Sequence, residues 1–256
     1  MLLAIDVGNT QTVLGLFDGA ELIQHWRIAT VAERTSDELA LLVSELLRLG
    51  GVRFEPEHLG VAVSSVVPFV TAALRQMTEE WFNIKPVVLE PGTRTGMPIL
   101  YDNPKEVGAD RIANAVGAFE LYGGPAIVVD FGTATTVDAI SAKGEYLGGA
   151  IVPGIEISLD ALFGRAAGLR RVELVEPRNV IGKNTVESIQ SGVLYGYAAQ
   201  VDGLCTRVEA EIGPSAIIAT GGLAGLIIPL SARLAHHEPW ITLLGLRLIW
   251  ERNQVG

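Results

Sequence analysis

The residues whose types and spacing could do chemistry begin near the N-terminus, in the stretch from residue 2 to residue 18. Two apolar segments there flank a turn that contains Asp6, Gly8, Asn9 and Thr10. Glycine and asparagine accept the positive φ of tight turns, which lets backbone N–H groups approach a ligand, and threonine adds a hydroxyl donor. A carboxylate at the end of a strand can hold Mg²⁺ directly or through water. The stretch therefore predicts a phosphate-binding β-hairpin, with an ordinary tight hairpin as the alternative.

A second copy of this pattern lies at residues 126 to 140. A shift of 124 positions pairs Asp6 with Asp130, Gly8 with Gly132, Thr12 with Thr136 and Val13 with Val137. Because this shift is close to half of the 256 residues, the repeat predicts two related lobes, each offering one hairpin to a cleft between them. We assign residues 1–120 to the N-terminal lobe and residues 121–256 to the C-terminal lobe. Two opposed phosphate loops suit a nucleoside triphosphate.

A third aspartate, Asp110, lies in the segment Gly108-Ala109-Asp110-Arg111, where a helical apolar pattern begins. An aspartate at a helix start commonly caps the helix and complements its dipole, and the residues alone favour that interpretation. The same carboxylate could act as a general base beside a hydroxyl group. Arg111 offers two parallel donors to a carboxylate or a phosphate, with a surface salt bridge as the alternative.

These residues are positioned by a regular alternation of predicted strands and helices. The predicted strands form the hairpin at 2–18, a third strand at 21–28, buried strands at 59–63 and 86–89, a second hairpin at 126–140 and a strand at 215–219. The predicted helices begin at the capping box Thr35–Glu38, near Pro68, after Gly108, at Gly154, at the capping box Asn184–Glu187 and near Leu243. We expect His236 and His237 in a solvated loop rather than at a metal.

Composition restricts the class of partner. A formal net charge of −10 argues against nucleic acid or an anionic membrane as the partner of the whole surface. The single cysteine, Cys205, excludes an internal disulfide, and no signal peptide is visible, so we expect a cytoplasmic protein. Residues 212–232 carry no charge and could span a bilayer by length. Six glycines and prolines divide them, so we predict a strand, a loop and a helix start instead.

Seven motifs, in order along nearly the whole chain, carry a resemblance to a known family. They are D-V-G-N-T at 6–10, S-S-V-V-P at 64–68, G-A-D-R at 108–111, D-F-G-T-A-T-T at 130–136, G-G-A-I-V-P-G at 148–154, T-G-G at 220–222 and T-L-L-G-L-R-L-I-W-E-R-N at 242–253. Together they resemble type III pantothenate kinase, of the acetate/sugar kinase, Hsp70 and actin superfamily. The resemblance implies an α/β protein with a duplicated ribonuclease-H-like (actin-like ATPase) fold. Two lobes, each with a mixed β-sheet flanked by helices, would enclose ATP in the cleft between them.

The resemblance also implies an activity and a set of site residues. The activity is ATP-dependent phosphorylation of the primary hydroxyl of pantothenate to 4′-phosphopantothenate, the first step of coenzyme A biosynthesis. Asp110 would be the catalytic base. The implied ATP-binding residues are Asp6, Val7, Gly8, Asn9, Thr10, Gln11, Thr12, Val13, Gly132, Thr133, Gly221 and Gly222. The implied pantothenate-binding residues are Tyr101, Gly108, Ala109, Asp110, Arg111 and Thr185.

The family likewise implies cofactors and a partner. ATP would act with Mg²⁺ near Asp6, directly or through water, and Asp130 would hold a monovalent cation, K⁺ or NH₄⁺. The residues themselves do not separate these two cation roles. The family also implies a homodimer with the substrate site near the subunit interface.

Two segments depart from the family pattern, the one after Ile157 (S-L-D-A-L-F-G-R-A-A-G-L-R-R-V-E-L) and W-I-T-L at 240–243. The first could alter a loop or subunit contact beside the substrate, and the second a helix cap. The alternatives are a kinase or phosphatase for another small molecule on the same fold, because ATP motifs do not specify the acceptor, or a non-catalytic regulator that keeps the fold.

Overall fold

The computed structural model describes residues 1–51, 58–166 and 168–254, and these form two compact units. Unit 1 comprises Met1–Gly117 together with the segment from Ile241 onward, and unit 2 comprises Ala118–Trp240. The first division falls close to the lobe boundary predicted after residue 120. The C-terminal segment groups with unit 1, which differs from its predicted assignment to the second lobe.

Unit 1 is built on a five-stranded mixed sheet. Its strands are β1 (Leu2–Val7), β2 (Gln11–Asp18), β3 (Glu21–Ala29), β4 (Gly60–Ser65) and β5 (Val87–Val88), and its helices are α1 (Ser36–Leu49), α2 (Pro68–Glu80), α3 (Ala109–Tyr122), which crosses the division, and the C-terminal α7 (Ile241–Gln254). The strand order is β3-β2-β1-β4-β5. The two N-terminal pairings are antiparallel, whereas β4 and β5 run parallel to β1.

One face of this sheet is covered by α1 and α2. Alternate residues of β1, Leu3, Ile5 and Val7, join apolar side chains of those helices in a buried core, as the period of two along a strand requires. The predicted capping box at the start of α1 is confirmed. The Glu38 N–H donates to Thr35 Oγ1 at 3.3 Å, and the Thr35 N–H donates to the Glu38 carboxylate at 2.9 Å.

The C-terminal helix α7 covers β1, β2 and β4. Gly60 lies directly under Trp250, since a Cβ at residue 60 would overlap the indole ring. The Thr242 hydroxyl donates to Asn114 Oδ1 at 2.6 Å and so joins α7 to α3. These contacts explain why α7 groups with unit 1 although it follows the second sheet in the chain.

Unit 2 repeats the plan of unit 1. Its strands are β6 (Ala126–Phe131), β7 (Ala134–Ile140), β8 (Tyr146–Pro153), β9 (Ala216–Thr220) and β10 (His236–His237), and its helices are α4 (Ile155–Arg165), α5 (Thr185–Ile212) and α6 (Ala224–Ile227). The strand order β8-β7-β6-β9-β10 corresponds strand for strand to β3-β2-β1-β4-β5. The antiparallel and parallel pairings also correspond. The predicted duplication of the sheet is therefore present in the topology.

Two local predictions in unit 2 need correction. His236 and His237 form a short edge strand paired with β9, not a loop, and the His236 ring centroid lies 4.4 Å from that of Tyr122. At α5 the Asn184 side chain accepts the Glu187 N–H as predicted, but the Glu187 carboxylate accepts the N–H of Lys183. The second half of the predicted capping box is thus displaced by one residue.

Across the described ranges, no helix combines the length and apolar character needed to cross a membrane. The uncharged stretch 212–232 divides into the end of α5, strand β9, the short α6 and a 3₁₀ turn at Ile228–Leu230. This division into short elements matches the prediction from its glycines and prolines.

Candidate functional site

The turn of the first hairpin is held by one internal hydrogen bond and by bonds from Thr30, the residue after β3. The Gly8 N–H donates to the Gln11 carbonyl at 3.0 Å, and the Thr30 N–H donates to the Thr10 carbonyl at 3.0 Å. The Thr30 hydroxyl donates to the Gly8 carbonyl at 2.8 Å and pairs with the Thr12 hydroxyl at 2.9 Å. The turn is therefore fixed from one side.

The reason for glycine in this turn differs from the expectation. Neither Gly8 nor Asn9 is among the residues with positive φ, so left-handed geometry does not explain them. A Cβ at Gly8 would lie 3.1 Å from the Gln11 carbonyl oxygen, a tight contact that would require the turn to shift by a few tenths of an ångström. Glycine is favoured here because the turn is narrow, and its missing side chain also leaves the backbone accessible.

Asp6 lies at the carboxyl edge of the first sheet, beside a second polar residue. It is half-buried, and in the parallel pairing of β1 with β4 it is in register with Ser64. Ser64 is fully buried, and its hydroxyl has no hydrogen-bond partner among the residues that the structure describes. A carboxylate and a hydroxyl at one edge are the hard oxygen donors that Mg²⁺ and its bound waters prefer.

The described residues contain no group of three or more His, Cys, Asp or Glu that could hold a metal ion. Kinase sites bind Mg²⁺ with one or two carboxylates together with substrate phosphates and waters, so such a cluster is not needed. Asp6 with the neighbouring Ser64 hydroxyl therefore fits a magnesium–nucleotide site.

The Gly-Ala-Asp-Arg segment forms the start of α3. Asp110 is half-buried in the first turn of a helix that begins at Ala109, so it lies inside the helix rather than at the N-cap position. Its Oδ1 accepts the Arg111 N–H at 2.8 Å, and a Cβ at Gly108 would overlap that oxygen. Glycine is thus required at 108 for this carboxylate position. Arg111 is 7% exposed, so its charge is buried at the same place.

A cavity of about 500 Å³ lies between the start of α3 and the segment that joins β4 to α2. Ser65 and Val66 at the end of β4 line it together with Gly108 and Ala109. Ser65 is in register with Val7, and the Val66 N–H donates to the Val7 carbonyl at 3.1 Å. The start of α3 and the end of β4 therefore share this cavity, and the end of β4 pairs with the end of β1, but neither Asp110 nor a residue of the first hairpin lines the cavity.

The loop before α3 lines a second cavity of about 350 Å³. Ile99 and Asn103 line it, as do Ala109 and Ile112 of α3. Tyr101 lies between the first two in the chain and is 36% exposed. Tyr101 is not among the residues that line this cavity, but the loop that carries it forms one wall.

The second hairpin brings together the predicted residues of unit 2. The Gly132 N–H donates to the Ala134 carbonyl at 3.1 Å, and the Gly154 N–H donates to the Thr133 carbonyl at 3.1 Å. Gly221 has φ +91°, and a Cβ there would lie 2.5 Å from Asp130 Oδ1. The Thr-Gly-Gly turn, which includes Gly222, therefore lies directly against the end of β6 and requires glycine at 221.

The second turn is one residue shorter than the first. Val7 pairs with Thr12, whereas Phe131 pairs with Thr135. The structural equivalent of Thr12 is therefore Thr135 and not Thr136, and the buried and half-buried positions along β2 and β7 follow the same shift. An offset of 124 residues therefore relates β1 to β6, whereas an offset of 123 residues relates β2 to β7.

Thr185 lies in unit 2, apart in the chain from the other predicted substrate residues, which lie in unit 1. It is the exposed first residue of α5 and lines a cavity of about 800 Å³ together with residues of α4 and of the intervening loop. Four of the lining residues, Ser158, Leu159, Leu162 and Leu169, belong to the segment after Ile157 that departs from the family pattern. The departure therefore affects the wall of this cavity.

The only cysteine takes no part in these sites. Cys205 is buried in the core of unit 2, and burial raises the pKa of its thiol to about 12. A thiol with that pKa stays protonated at neutral pH and is a poor nucleophile.

Sequence reasoning missed three residues that the geometry brings to the hairpins. Ser64 was not separable from Ser65 in a run of two serines that also precedes a helix. Thr30 is the residue after β3 and belongs to no recognisable motif. Only the pairing of β3 with β2 shows that it lies under the first turn. Gly154 appeared as a helix start, although it also packs against the second turn, where a Cβ would overlap the Thr133 carbonyl.

Comparison with known proteins places this geometry in a family. Among solved structures, a protein described as a Baf family transcriptional activator from Campylobacter jejuni is similar over 98% of each chain, with TM-score 0.61 and 19% identity. The inorganic polyphosphate/ATP-glucomannokinase from Arthrobacter sp. strain KM is similar over 100% of this chain and 99% of its own, with TM-score 0.53 and 15% identity. At these identities the likeness concerns the fold alone. It confirms the predicted α/β fold with two mixed sheets flanked by helices, duplicated and ribonuclease-H-like.

The sequence relatives are much closer. The type III pantothenate kinase of Streptomyces griseus subsp. griseus is 57% identical over 99% of this chain and 98% of its own length. A model of the type III pantothenate kinase family matches residues 2–207. The chain therefore belongs to the type III pantothenate kinase family.

Proposed function

We propose that this chain transfers the γ-phosphoryl group of ATP to the primary hydroxyl of pantothenate. The products are ADP and 4′-phosphopantothenate, and the reaction is the first step of coenzyme A biosynthesis. One structural observation supports the proposal most directly. The end of β4 pairs with the end of β1, which carries Asp6 and leads into the first hairpin turn, and it lines one cavity with Gly108 and Ala109, which precede Asp110.

Asp110 acts as the general base in this proposal. Its carboxylate accepts the proton of the pantothenate hydroxyl while that oxygen forms a bond to the γ-phosphorus, and the bond from the γ-phosphorus to the β–γ bridging oxygen breaks. Glycine at 108 leaves room for the Asp110 carboxylate, because a Cβ there would overlap Asp110 Oδ1. Ala109 lies at the same helix start, and Arg111 binds the pantothenate carboxylate with its planar fork of donors.

The first hairpin holds the phosphates in this proposal. The backbone from Val7 to Val13 and the Thr10 hydroxyl contact the triphosphate, and the buried Thr12 hydroxyl supports the turn by pairing with the Thr30 hydroxyl. Asp6 holds Mg²⁺, which when bound offsets the charge that develops on the β- and γ-phosphates. A pre-formed turn needs little rearrangement on binding, which favours catalysis by positioning.

The second hairpin contributes nucleotide and cation contacts. Gly132 and Thr133 contact phosphate, and Gly221 and Gly222 offer a flat backbone surface to the adenosine. Asp130 holds a monovalent cation, K⁺ or NH₄⁺. That the two hairpins enclose one nucleotide remains a prediction from the sequence repeat.

Tyr101 and Thr185 bind the amide and hydroxyl groups of pantothenate in this proposal. The protein acts as a cytoplasmic homodimer. Several large apolar side chains of unit 2 are strongly exposed, among them Ile151 at 62%, Val180 at 66% and Ile181 at 73%. Large apolar side chains of unit 1 are exposed as well, among them Phe69 at 78% and Leu41 at 73%, and exposed apolar side chains suit burial against a second copy of the chain.

The test is a direct assay of the purified protein. ADP release is measured with ATP, Mg²⁺ and K⁺, with and without pantothenate, and the product is identified by mass. Pantothenate-dependent ADP release with phosphopantothenate as product supports the proposal. ATP binding without phosphopantothenate would instead favour another acceptor or a regulator that keeps the fold.

A further inference from the structure

The hydroxyl of Ser64 is the starting point for one further inference. The residue is fully buried, and its Oγ has no hydrogen-bond partner within residues 1–51, 58–166 and 168–254. Buried side-chain hydroxyls in folded proteins are nearly always hydrogen-bonded, so an unpartnered one calls for an explanation. A ligand or water that binds during function is one such explanation.

The neighbouring serine shows that the local backbone does not explain Ser64. The Ser65 hydroxyl donates to the Val67 carbonyl at 3.2 Å and accepts the Val67 N–H at 3.1 Å. Ser65 therefore shapes the connection from β4 to α2. Ser64 makes no comparable bond, and its hydroxyl remains available to a group at the sheet edge.

That group can be identified from the register of the sheet. Ile5, Val7 and Val63 belong to the core under α1 and α2, so the alternating residues Asp6 and Ser64 occupy the opposite face. They are also register partners on adjacent parallel strands, which lie about 4.8 Å apart. The unpartnered hydroxyl is thus the immediate neighbour of the carboxylate to which we assign Mg²⁺.

The same juxtaposition recurs in the second sheet. Asp130 is in register with Thr220, which is 2% exposed. Each sheet therefore sets one buried hydroxyl beside the aspartate at the end of its central strand, although one is serine and the other threonine. The two sheets therefore share a hydroxyl residue at this position.

We propose that Ser64 is a positioning residue for the divalent cation. Its hydroxyl accepts a hydrogen bond from a water bound to Mg²⁺ and donates one to the Asp6 carboxylate. Mg²⁺ in nucleotide sites keeps several waters, each of which must donate two protons, so a hydroxyl acceptor beside the carboxylate orients one of them. The inference rests on the proposed function, because it takes Asp6 as the magnesium residue.

The test uses Ser64→Ala and two measurements that separate a ligand role from a structural one. Binding of a non-hydrolysable ATP analogue is measured by calorimetry across a Mg²⁺ titration, and thermal unfolding of the free protein is measured in EDTA. We expect the Mg²⁺ concentration at half-saturation to rise by about 10-fold, the usual scale for loss of a group that orients a metal ligand. The unfolding temperature in EDTA should stay equal or rise, because the removed hydroxyl has no partner there.

Thr78→Val is the matched control. Thr78 is also fully buried in unit 1, but its hydroxyl donates to the Arg75 carbonyl at 2.9 Å. This variant should lower the unfolding temperature and leave the Mg²⁺ titration unchanged. An unchanged Mg²⁺ titration in Ser64→Ala would overturn the proposal. So would a loss of stability in EDTA as large as that of Thr78→Val, including failure to fold.

Pantothenate is omitted from these titrations, which keeps the two proposals distinguishable. Absence of phosphopantothenate in the assay of the unaltered protein would reject the acceptor and leave the role of Ser64 open to this test. Nucleotide binding that does not depend on Mg²⁺ in the unaltered protein would reject the role of Asp6, and the inference about Ser64 with it.

Discussion

The two hairpins share a strand plan but complete their turns with different groups. Under the first turn, Thr30 donates its N–H to Thr10 and its hydroxyl to Gly8, and it also pairs with the Thr12 hydroxyl. Under the second turn the equivalent N–H comes from Gly154, which donates to Thr133. A Cβ at Gly154 would overlap the Thr133 carbonyl, so no side chain can occupy the place of Thr30.

This difference leaves the second turn with an unpartnered hydroxyl. Thr135, the equivalent of Thr12, is fully buried, and its Oγ1 has no hydrogen-bond partner in the described part of the chain. Duplication has therefore preserved the strands and their pairing, whereas the groups that hold each turn have diverged. The first turn is braced by a side chain, and the second by backbone packing against the start of α4.

The largest expected effect belongs to unit 1, whose helix α3 carries the proposed base Asp110. Asp110→Asn keeps the size of the side chain but cannot accept the proton. We expect turnover to fall by about 10²- to 10⁴-fold, the usual scale for loss of a general base. Steady-state kinetics and calorimetry with an ATP analogue would check this, and nucleotide affinity should be largely retained.

Asp18→Asn is the control for that prediction, since it removes an equal charge at the exposed end of β2. Its turnover should match that of the unaltered protein. Near-normal turnover in Asp110→Asn would restrict Asp110 to a structural role at the start of α3.

The next prediction concerns the close backbone approach in the second unit. Gly221→Ala places a Cβ at φ +91° and against Asp130. We expect a loss of about 1–3 kcal/mol in the free energy of unfolding, the scale for a non-glycine residue in such a conformation. Denaturant unfolding would measure it. Gly164→Ala in α4, where a Cβ meets nothing within 4 Å, should be neutral or stabilising, and an equal loss in both variants would remove the strain argument.

A matched pair of substitutions tests the difference between the turns themselves. Thr12→Val removes the bond to Thr30 and should lower the free energy of unfolding by about 1 kcal/mol. Thr135→Val removes a hydroxyl without a described partner and should be neutral or stabilising. Denaturant unfolding of both variants gives the comparison, and equal losses would show that the second turn also has a hydrogen bond.

The smallest effect on stability at neutral pH is expected from a substitution at Cys205, in the core of unit 2. Burial raises the pKa of the Cys205 thiol from 9.0 to about 12, so the folded state holds its proton more tightly than the unfolded state does. The resulting stability is fully present below about pH 9 and is lost as the pH rises toward 12. Cys205→Ala should therefore show a smaller fall in unfolding temperature between pH 8 and pH 11 than the unaltered protein. Parallel falls would contradict the assignment.

Much of the fold could be predicted from local patterns. The paired strands around Asp6 and Asp130 follow from apolar runs that meet at turn residues, and α1 follows from its capping box and apolar period. These signals lie within about 15 residues of chain. The motifs also identified the segments that form both hairpins and the start of α3.

The remaining features depend on contacts between distant segments. The one-residue difference between the turns appears only in the cross-strand register, because both sequences contain similar turn residues. The demand for glycine at 221 comes from Asp130 and Phe131, about 90 positions earlier in the chain. The placement of α7 likewise depends on Gly60 and Asn114, which no pattern within the helix itself reveals.

The position of α7 has a consequence for how the protein is made. A ribosome releases the strands of unit 1 first, but the helix that covers β1, β2 and β4 is synthesised after the whole of unit 2. Until then the first sheet exposes the face that α7 later covers, including the surface at Gly60 on which Trp250 packs. Nascent chains therefore carry an uncovered surface through most of translation, and a stop codon shortly before residue 241 would yield a product that chaperones and proteases recognise.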